Sequence, residues 1–522
     1  LLLADSRVNP ADKNNEAIRQ ACKIGHVNVV RLFLADGRVN PADGDNEAIR
    51  LACYHGHVDV VRLLLADSRV NPAGGVNEAI RHACKNGHVD VVRLLLADSR
   101  VNPADKNNEA IQQACYHGHV GVVRLLLDDS RVDPGDNNNA PLEWACENGH
   151  ADVVRLLLAD RRIDPSGGDN EAIRQACKNG HIDVVRLLLA DSRVNPADKN
   201  NEAIRQACYH GHVDIVRLFL ADSRVDPAIF GDGAIRQACT NGHIDVIRLL
   251  LADSRVNPAD ESNDAIQYAC ANGYIDIVRL LLADTRINIA DNDNAAISEA
   301  CSSGHIEIVR LLLADSRVNP ADDNNVAIRW ACANGHTDVV QLLLTDPRVD
   351  PADFHNDAII QACWHGHLDI LCLLLADSRV NPADRHNEVM RFACAKKHAK
   401  VVCLLLMDSR INVSSFFSTF AKLHEKFRGN ESICALIALA DIEPVCDRWG
   451  PLDRNVYNFD KLRYWQKARY LHLYKEYETF VAGPYGVLLK TRLEVAKQYN
   501  NDVLVSRLPV EMIELILAYM NL

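Results

Sequence analysis

Several features that mark large classes of proteins are absent from this sequence of 522 residues. No run of about 18 or more apolar residues occurs, so no segment is predicted to span a membrane. The opening Leu1-Leu2-Leu3 does not resemble a signal peptide. A glycine-rich phosphate loop, a nucleophile elbow and the set of protein-kinase motifs are also missing. We therefore predict neither a membrane protein nor an enzyme.

An excess of positive charge is missing as well. The chain has 57 Lys and Arg residues against 70 Asp and Glu residues, which gives a formal net charge of −13. Affinity for nucleic acid comes mainly from Lys and Arg side chains that neutralise phosphates, so nucleic acid is not expected as the main ligand. Aromatic residues make up only 6% of the chain, and more than half of them follow residue 413. This change in composition predicts a boundary near that residue.

Cysteine recurs with a fixed period of 31 residues, from Cys22 through Cys53 and Cys84 to Cys394, without an insertion. A period in this range is typical of stacked supersecondary units. A single compact core rarely exceeds roughly 250–300 residues, which a chain of 522 residues passes. The sequence therefore predicts an elongated array over residues 1–413, with thirteen full repeats after a half repeat. Because the first residues match the second half of a repeat, we expect the chain to begin within one.

The chain contains 17 cysteines, but their spacing does not favour disulfides. Equivalent positions in adjacent stacked helices lie roughly 8–10 Å apart, beyond the limit of about 7 Å between the Cα atoms of a disulfide. Free thiols fit a reducing compartment, so we predict an intracellular, cytoplasmic protein. The run Cys53-Tyr54-His55-Gly56-His57 carries potential zinc ligands, but a fourth ligand is missing. We therefore predict no bound metal and no cofactor.

One repeat, residues 77–103, illustrates the predicted pair of helices. Asn77 is expected to cap the first helix through its side-chain oxygen, and this slot is Asn in twelve of the thirteen copies. Ala83 and Cys84 lie on the apolar side of the helix, where small residues let neighbouring helices approach. Gly87 is predicted to end the helix in a left-handed turn. The VVRLLL segment of the second helix is apolar on nearly all sides, which predicts burial between neighbours.

Two polar patterns recur along the array. Fourteen copies of Asp-x-Arg run from Asp5/Arg7 to Asp408/Arg410, and the histidine of a Gly-His turn recurs in twelve of the thirteen repeats. A catalytic site is normally built once in a chain, so a motif that is present in every unit indicates a structural role. We expect each Asp-x-Arg pair to tie a second helix to the loop that follows, and each histidine to brace its turn.

These features resemble ankyrin repeats, in which each unit pairs two antiparallel helices with a projecting loop. The ACKNGH turn at residues 83–88, the VVRLLL helix and the Arg-Val-Asn that follows carry the resemblance, which spans residues 1–413. The period is 31 rather than 33, and E-A-I-R-x-A replaces the family's T-P-L-H-x-A except near residues 140–145. The resemblance implies an all-α helical repeat solenoid: a monomeric, non-enzymatic scaffold that binds a partner protein along its concave face.

Comparison among the copies identifies slots that vary on the exposed side of the first helix. The slots of Gln20 and Lys23 change residue type between repeats, whereas the core slots stay nearly fixed. In ankyrin arrays this side lines the concave face, and aromatic and Arg residues are favoured in binding hot spots. Neutral drift on a solvated face is the alternative. The predicted partner-binding residues are Lys23, Tyr54, His82, Lys85, Tyr116, Trp144, Glu147, Lys178, Tyr209, Tyr268, Trp330, Trp364 and Phe392.

The repeat pattern decays after residue 413. Residues 414–446 keep the register in part, and we predict that they form a degenerate capping repeat, because a terminal repeat needs one face adapted to water. The remaining residues, 447–522, are rich in aromatic side chains and are predicted to form a small helical C-terminal domain.

The last segment of this domain, residues 507–519, resembles the first helix of an F-box, a motif that docks the cullin-ligase adaptor Skp1. The matching residues are Leu508, Pro509, Ile513, Ile516 and Leu517. The resemblance implies a substrate-recognition adaptor of a cullin-type ubiquitin ligase, as an alternative to a passive scaffold. The match is short, and a helix that caps the C-terminal domain is the other interpretation of this segment.

Overall fold

The computed structural model of the chain describes residues 9–396, 398–406, 408, 410 and 411. Over these residues the protein is all-α, with 26 helices and no strand. No helix in this part of the chain has the length and apolar character that crossing a membrane requires. The predicted capping repeat at 414–446 and the predicted C-terminal domain at 447–522, with its F-box-like helix, lie outside the described residues and stay predictions.

The helices alternate between the first and the second helix of each repeat. The first helices are α1 (Asp12–Ile24), α3 (Asp43–Tyr54), α5 (Gly74–Lys85), α7 (Asp105–Tyr116), α9 (Asp136–Glu147), α11 (Gly167–Asn179), α13 (Asp198–His210), α15 (Ile229–Asn241), α17 (Asp260–Ala271), α19 (Asp291–Ser303), α21 (Asp322–Asn334), α23 (Asp353–His365) and α25 (Asp384–Ala395). The second helices are α2 (Val27–Ala35), α4 (Val58–Ala66), α6 (Val89–Leu96), α8 (Val120–Leu127), α10 (Ala151–Ala159), α12 (Ile182–Ala190), α14 (Val213–Ala221), α16 (Ile244–Ala252), α18 (Ile275–Leu282), α20 (Ile306–Leu313), α22 (Thr337–Leu344), α24 (Leu368–Ala376) and α26 (Ala399–Leu406). This order confirms the thirteen helix pairs that the period predicts.

The described residues divide into two compact units. The first unit extends to Ala269 and includes Asp276–Asn288, and the second consists of Cys270–Ile275 and the residues from Ile289 onward. Within the first unit, consecutive first helices pack against each other from α1 to α15, and consecutive second helices from α2 to α16. Within the second unit, the same packing joins α19 to α25 and α20 to α26. Each unit therefore contains a layer of first helices and a layer of second helices.

Small residues line the contacts between first helices. Ala52 and Cys53 of α3 and Ala83 and Cys84 of α5 are fully buried, so these helices meet through short side chains. The twelve cysteines of the series that the structure describes in full are all free and buried. Burial raises the pKa of the Cys22 thiol to about 12, which keeps it protonated. The cysteines are thus small core residues, as the sequence predicts.

A left-handed turn of three residues opens ten of the first helices. In α5, Gly75, Val76 and Asn77 have φ angles of 62°, 57° and 56°, so the right-handed part of the helix begins after Asn77. Asn adopts this conformation more readily than most residues, because its short polar side chain can form hydrogen bonds close to the backbone. The sequence analysis did not predict this turn, although the recurrent Asn at its third position was the available signal.

The predicted N-cap role of Asn77 is wrong. Its Oδ1 accepts a hydrogen bond from the backbone N–H of Asn102 at 2.8 Å, and its Nδ2 donates to the carboxylate of Asp105. Asn102 and Asp105 connect this repeat to the next one, and no side-chain cap is present at the start of α5. Asn77 is only 4% exposed, and both the oxygen and the nitrogen of its side-chain amide form hydrogen bonds to the next repeat. The Asn slot therefore joins neighbouring repeats instead of capping its own helix.

The Asp-x-Arg pairs tie second helices to the following loops, as predicted, and they also reach the preceding repeat. The Asp129 carboxylate accepts hydrogen bonds from the backbone N–H of Arg131 at 3.0 Å and from its guanidinium at 2.6 Å. The same guanidinium donates to the carbonyl of Val101 at 2.8 Å and to that of Leu96 at 3.1 Å. Each pair of this kind is a clamp between two repeats.

The histidines of the Gly-His turns have a structural role, as predicted, but each braces the turn of the preceding repeat instead of its own. His119 Nε2–H donates a hydrogen bond to the carbonyl oxygen of Lys85 at 2.9 Å, and this carbonyl lies at the end of α5, where helical partners are missing. The imidazole lies against Gly87, which has a φ of 75°. A Cβ at Gly87 would come within 2.6 Å of His119 Nδ1. Glycine is required there both by conformation and by space.

Candidate functional site

We call the solvent-exposed side of the first helices the first-helix face. Eleven of the thirteen residues predicted to bind a partner are exposed on it, and the other two, His82 and Phe392, are half-buried. The exposed aromatic side chains range from 37% exposure at Tyr116 and Trp364 to 51% at Trp330. The opposite side of the same helices is buried through Ala, Ile and Cys. The structure therefore gives these residues the accessibility that the prediction requires, and their role in binding stays a prediction.

Aromatic rings from adjacent repeats meet on this face in edge-to-face contacts. In each contact, one of the last two residues of a first helix meets a residue three positions before the end of the next first helix. The pairs are Tyr54 with His82 at 5.4 Å between ring centroids, Tyr116 with Trp144 at 5.1 Å, and Trp364 with Phe392 at 5.0 Å. The sequence analysis selected all six residues without pairing them. The constant spacing of 28 residues between partners was the signal that could have done so.

Salt bridges connect consecutive first helices beside these rings. Arg81 contacts Glu109 at 2.7 Å, and Arg19 and Arg50 form equivalent pairs with the Glu of the next repeat. We call this row in the first unit the Arg–Glu ladder. The ladder ends at α7, because Gln112 and then Glu143 replace the Arg in the next two slots. Beyond them, Arg174 and Arg205 pair with a Glu of their own helix. These salt bridges were not predicted from the sequence.

Two cations lie over aromatic rings in the second unit, and the sequence analysis missed both contacts. The Nζ of Lys396 lies 3.7 Å from the centre of the Trp364 ring, and the guanidinium of Arg329 lies 4.4 Å from that of Phe354. Phe354 is 51% exposed in the left-handed turn that opens α23. A large apolar residue in a turn slot that most repeats fill with a small or polar one was the available signal.

Histidines flank several of the exposed tyrosines. The His55 ring lies 5.0 Å from the Tyr54 ring and stacks on His57 at 6.1 Å. Partial burial, followed by the charges of His57 and Lys23, lowers the pKa of His55 below its ordinary value. The His55 ring is therefore neutral at pH 7, and it adds no positive charge to this part of the face.

A family model that describes three ankyrin repeats matches the chain at residues 1–73, 80–169, 164–230, 223–293, 283–355 and 328–415. The matches cover well over half of the sequence. The chain belongs to the ankyrin-repeat family. No curated protein matches it. Ankyrin repeats are protein–protein interaction modules, and this role is the one that family membership supports for the chain.

Potential metal ligands are not clustered in the part of the ankyrin repeats that the structure describes. Among the residues that the structure describes, no group of three or more His, Cys, Asp or Glu side chains could hold one. In the Cys-Tyr-His-Gly-His run, Cys53 is fully buried while His55 is exposed, so the two face different surroundings. Burial also raises the pKa of the Cys53 thiol, which opposes formation of the thiolate that a metal binds.

Proposed function

We propose that the ankyrin repeats bind a partner protein through the first-helix face, with the thirteen predicted residues as contact residues. One observation carries the proposal: aromatic side chains occupy exposed slots on a single face, while core and turn slots keep their residue types from repeat to repeat. An exposed aromatic side chain contributes little to folding at such a slot. When a partner covers the side chain, its large apolar surface is removed from water, which favours binding.

The arrangement of the rings suits them to binding. Tyr, Trp and Arg are the residue types that most often dominate interface energies. Edge-to-face contacts between neighbouring rings, such as Tyr116 with Trp144, restrict their rotation before a partner arrives. Less side-chain freedom is then lost on binding, which raises affinity. The clamps and turns described above also hold neighbouring repeats to each other, which fixes the spacing between rings of adjacent repeats.

Affinity capture with the full chain tests this proposal. The variant Tyr54→Ala/Tyr116→Ala/Trp144→Ala/Trp330→Ala/Trp364→Ala should lose the proteins that the unmodified chain captures from a cell lysate, by about tenfold or more in quantitative mass spectrometry. Circular dichroism would check that the variant keeps its helix content.

A matched control places alanines elsewhere on the repeats. Arg62, Arg93 and Arg124 are exposed on the second helices α4, α6 and α8. Their triple replacement by Ala should leave the captured proteins unchanged. Equal capture by the aromatic variant and the unmodified chain would contradict the proposal, as would equal losses in the aromatic variant and the arginine control.

As a second candidate, we propose that residues 507–519 dock Skp1, so that the repeats hold a substrate while the C-terminal segment holds a cullin-type ubiquitin ligase. The supporting observation is the Leu508-Pro509 start followed by Ile513, Ile516 and Leu517 at helical spacing. A short helix that presents an apolar seam is a common means of docking into a groove.

The two candidates differ in what the C-terminal segment must do. The variant Ile513→Asp/Leu517→Asp should lose captured Skp1 and cullin if the segment docks a ligase, because two carboxylates would enter an apolar interface. Glu514→Gln, off the seam, is the control and should keep them. If the unmodified chain captures neither protein, the adaptor function is wrong and the passive scaffold remains.

We further propose that the chain acts as a monomeric, non-enzymatic scaffold in the reducing cytoplasm, without nucleic acid or membrane as a ligand. Free buried thiols support a reducing compartment. The net charge of −13 opposes binding to nucleic acid and to anionic lipid surfaces. Light scattering of the purified full chain should give the mass of one chain, and a larger mass would contradict the monomer.

A further inference from the structure

Two aromatic pairs on the first-helix face use the same slots in different repeats. Tyr116 pairs with Trp144 in the first unit, and Trp364 pairs with Phe392 in the second, with ring centroids 5.1 Å and 5.0 Å apart. Both contacts are edge-to-face, and both join the end of one first helix to a residue three positions before the end of the next. Since the slots are equivalent, the residues around the two pairs can be compared position by position.

In the second unit, the chain supplies a cation to its own aromatic pair. The Lys396 ammonium lies 3.7 Å from the centre of the Trp364 ring, well inside the range of about 6 Å over which a ring attracts a cation. Arg391 precedes Phe392 and pairs with Glu388 at 3.4 Å. An aromatic pair in these two slots can therefore accommodate an ammonium group on its face.

In the first unit, acidic and neutral residues occupy the equivalent slots. Asn148 stands in the slot of Lys396, and its Nδ2 donates a hydrogen bond to the carbonyl of Trp144 at 2.8 Å. Glu143 stands in the slot of Arg391, and Glu147 follows on the exposed side. In the described part of the chain, cations lie over the rings of Phe354 and Trp364, and none lies over Tyr116 or Trp144.

Glu143 occupies the slot that Arg fills in the Arg–Glu ladder, and it carries the opposite charge. It is half-buried, and within the described residues its carboxylate has no ion pair or hydrogen bond. The Arg of the next repeat, Arg174, pairs with Glu171 of its own helix. Burial, followed by the charge of Glu147, raises the pKa of Glu143, although Arg174 lowers it in part. Burial and the charge of Glu147 make the charged form of the Glu143 carboxylate less stable. A positive charge placed beside this carboxylate would stabilise the charged form.

We infer that Tyr116, Trp144, Glu143 and Glu147 form a site for a cationic side chain of the partner, a Lys ammonium or an Arg guanidinium. The inference rests on the proposed function and specifies the chemistry of the partner at one place on the face. The rings supply an aromatic surface of the kind that Lys396 covers in the second unit. The two carboxylates supply negative charge, and no cation of the described chain lies over this ring pair. Charge complementarity therefore selects a basic segment of a protein over an acidic or apolar one.

Selection of random short peptides displayed on phage tests the inference with the full chain as bait. The recovered peptides should share a Lys or Arg at one position, and its replacement by Gln should weaken binding by about tenfold or more in fluorescence anisotropy. The variants Glu143→Gln/Glu147→Gln and Trp144→Ala should weaken the unmodified peptide to a similar extent. Phe354→Ala, which removes an exposed ring that is not among the thirteen predicted contact residues, is the control and should leave its affinity unchanged. Thermal unfolding followed by circular dichroism would show that each variant is folded.

The outcomes separate this inference from the proposed function. Peptides without a shared cation, recovery of no peptide, or equal affinity for the unmodified chain and Glu143→Gln/Glu147→Gln would each overturn the inference. If protein capture is lost in the five-alanine variant while Glu143→Gln/Glu147→Gln captures normally, the first-helix face still binds the partner and only the cation site is wrong. If the five-alanine variant also captures normally, the proposed function fails as well.

Discussion

The guanidinium of Arg100 donates a hydrogen bond to the backbone carbonyl of Val70 at 2.8 Å, although the two residues belong to different repeats. A second N–H of the same group donates to the carbonyl of Leu65 at 3.1 Å, and the Asp98 carboxylate holds the guanidinium in place at 2.6 Å. Leu65 lies in the last turn of α4, where carbonyls lack helical partners. One side chain thus satisfies two carbonyls of the preceding repeat and joins it to its own.

Replacing Arg100 by Lys should weaken this clamp while keeping the charge. An ammonium cannot reproduce the planar set of donors that a guanidinium presents, so at least one carbonyl loses its partner. We expect the free energy of local opening to fall by about 1–2 kcal/mol in hydrogen exchange of α4 and α6. Arg93→Lys, on the exposed side of α6, is the control and should change it by less than about 0.5 kcal/mol. Equal effects of the two substitutions would contradict the clamp.

Asn77→Ala should destabilise the contact between its repeat and the next by about 2–3 kcal/mol, because it removes two hydrogen bonds and a residue suited to a positive φ. Asn77→Gly tests the two causes separately, since glycine keeps the turn and loses only the hydrogen bonds. Asn77→Asp keeps the acceptor for Asn102 but places a carboxylate against Asp105. That variant should be destabilised at pH 7 and recover in part near pH 4. Urea unfolding would measure the stability of all three variants. An Asn77→Ala variant that is as stable as the unmodified chain would contradict the bridging role.

Gly87→Ala should destabilise the stack by about 1–3 kcal/mol, since Cβ meets both an unfavourable φ and the His119 ring. His119→Ala should cost about 1 kcal/mol by leaving the Lys85 carbonyl without its partner. The double variant should be more stable than the sum of the two single losses predicts, because the clash disappears with the ring. Strict additivity in a double-mutant cycle would show that Gly87 and His119 are not coupled.

The clamps also predict how stability depends on acid. Hydrogen bonds from the side chain of Arg100 lower the pKa of Asp98, and the same cause lowers the pKa of the equivalent Asp in other repeats, such as Asp129 and Asp191. The folded state therefore favours the charged carboxylate. This stability is present in full above the pKa of the unfolded chain, about 3.9, and is lost as the pH falls through the lower folded value. The melting temperature should fall most steeply below about pH 4, and a steepest fall above pH 5 would contradict the prediction.

A smaller loss of stability should occur at a higher pH than the loss caused by the clamps. Partial desolvation lowers the pKa of His55, His82, His117, His210 and His365, so the unfolded chain takes up protons before the folded one does. Stability should decline slightly as the pH falls below about 6.5. Replacing the five histidines by Gln should remove this decline between pH 7 and 5 while leaving the fall below pH 4. Persistence of the decline in that variant would assign it to other groups.

Much of the fold follows from the period, because each repeat is one unit that stacks on its neighbour. Gly87 was predicted to end the first helix in a left-handed turn, and its φ is 75°. Cys84 was predicted in the core, and it is fully buried. Asn77 was misassigned for a physical reason: a short side-chain amide suits both an N-cap and a left-handed backbone, and sequence alone does not show which partners surround it.

For the candidate site too, some features could be predicted from the sequence and others could not. Exposure of residues such as Tyr116 and Trp330 follows from helical periodicity, so the sequence predicts it well. The contact of Tyr116 with Trp144 follows once the period is applied across two repeats, which the sequence analysis did not do. The position of Lys396 over Trp364 depends on the conformation of a flexible side chain at the end of a helix. No pattern of residue types specifies such a conformation.

The amide bridge of Asn77, the clamp of Arg131 and the brace of His119 each connect a repeat only to the one beside it. Unequal recombination that adds or removes one whole copy would therefore create a junction in which every bridge, clamp and brace finds its usual partner. Deletion of a single residue would misalign all three at once. The gene can accordingly lengthen or shorten in steps of 31 codons, and each step adds or removes one set of exposed first-helix residues without redesign of the repeat.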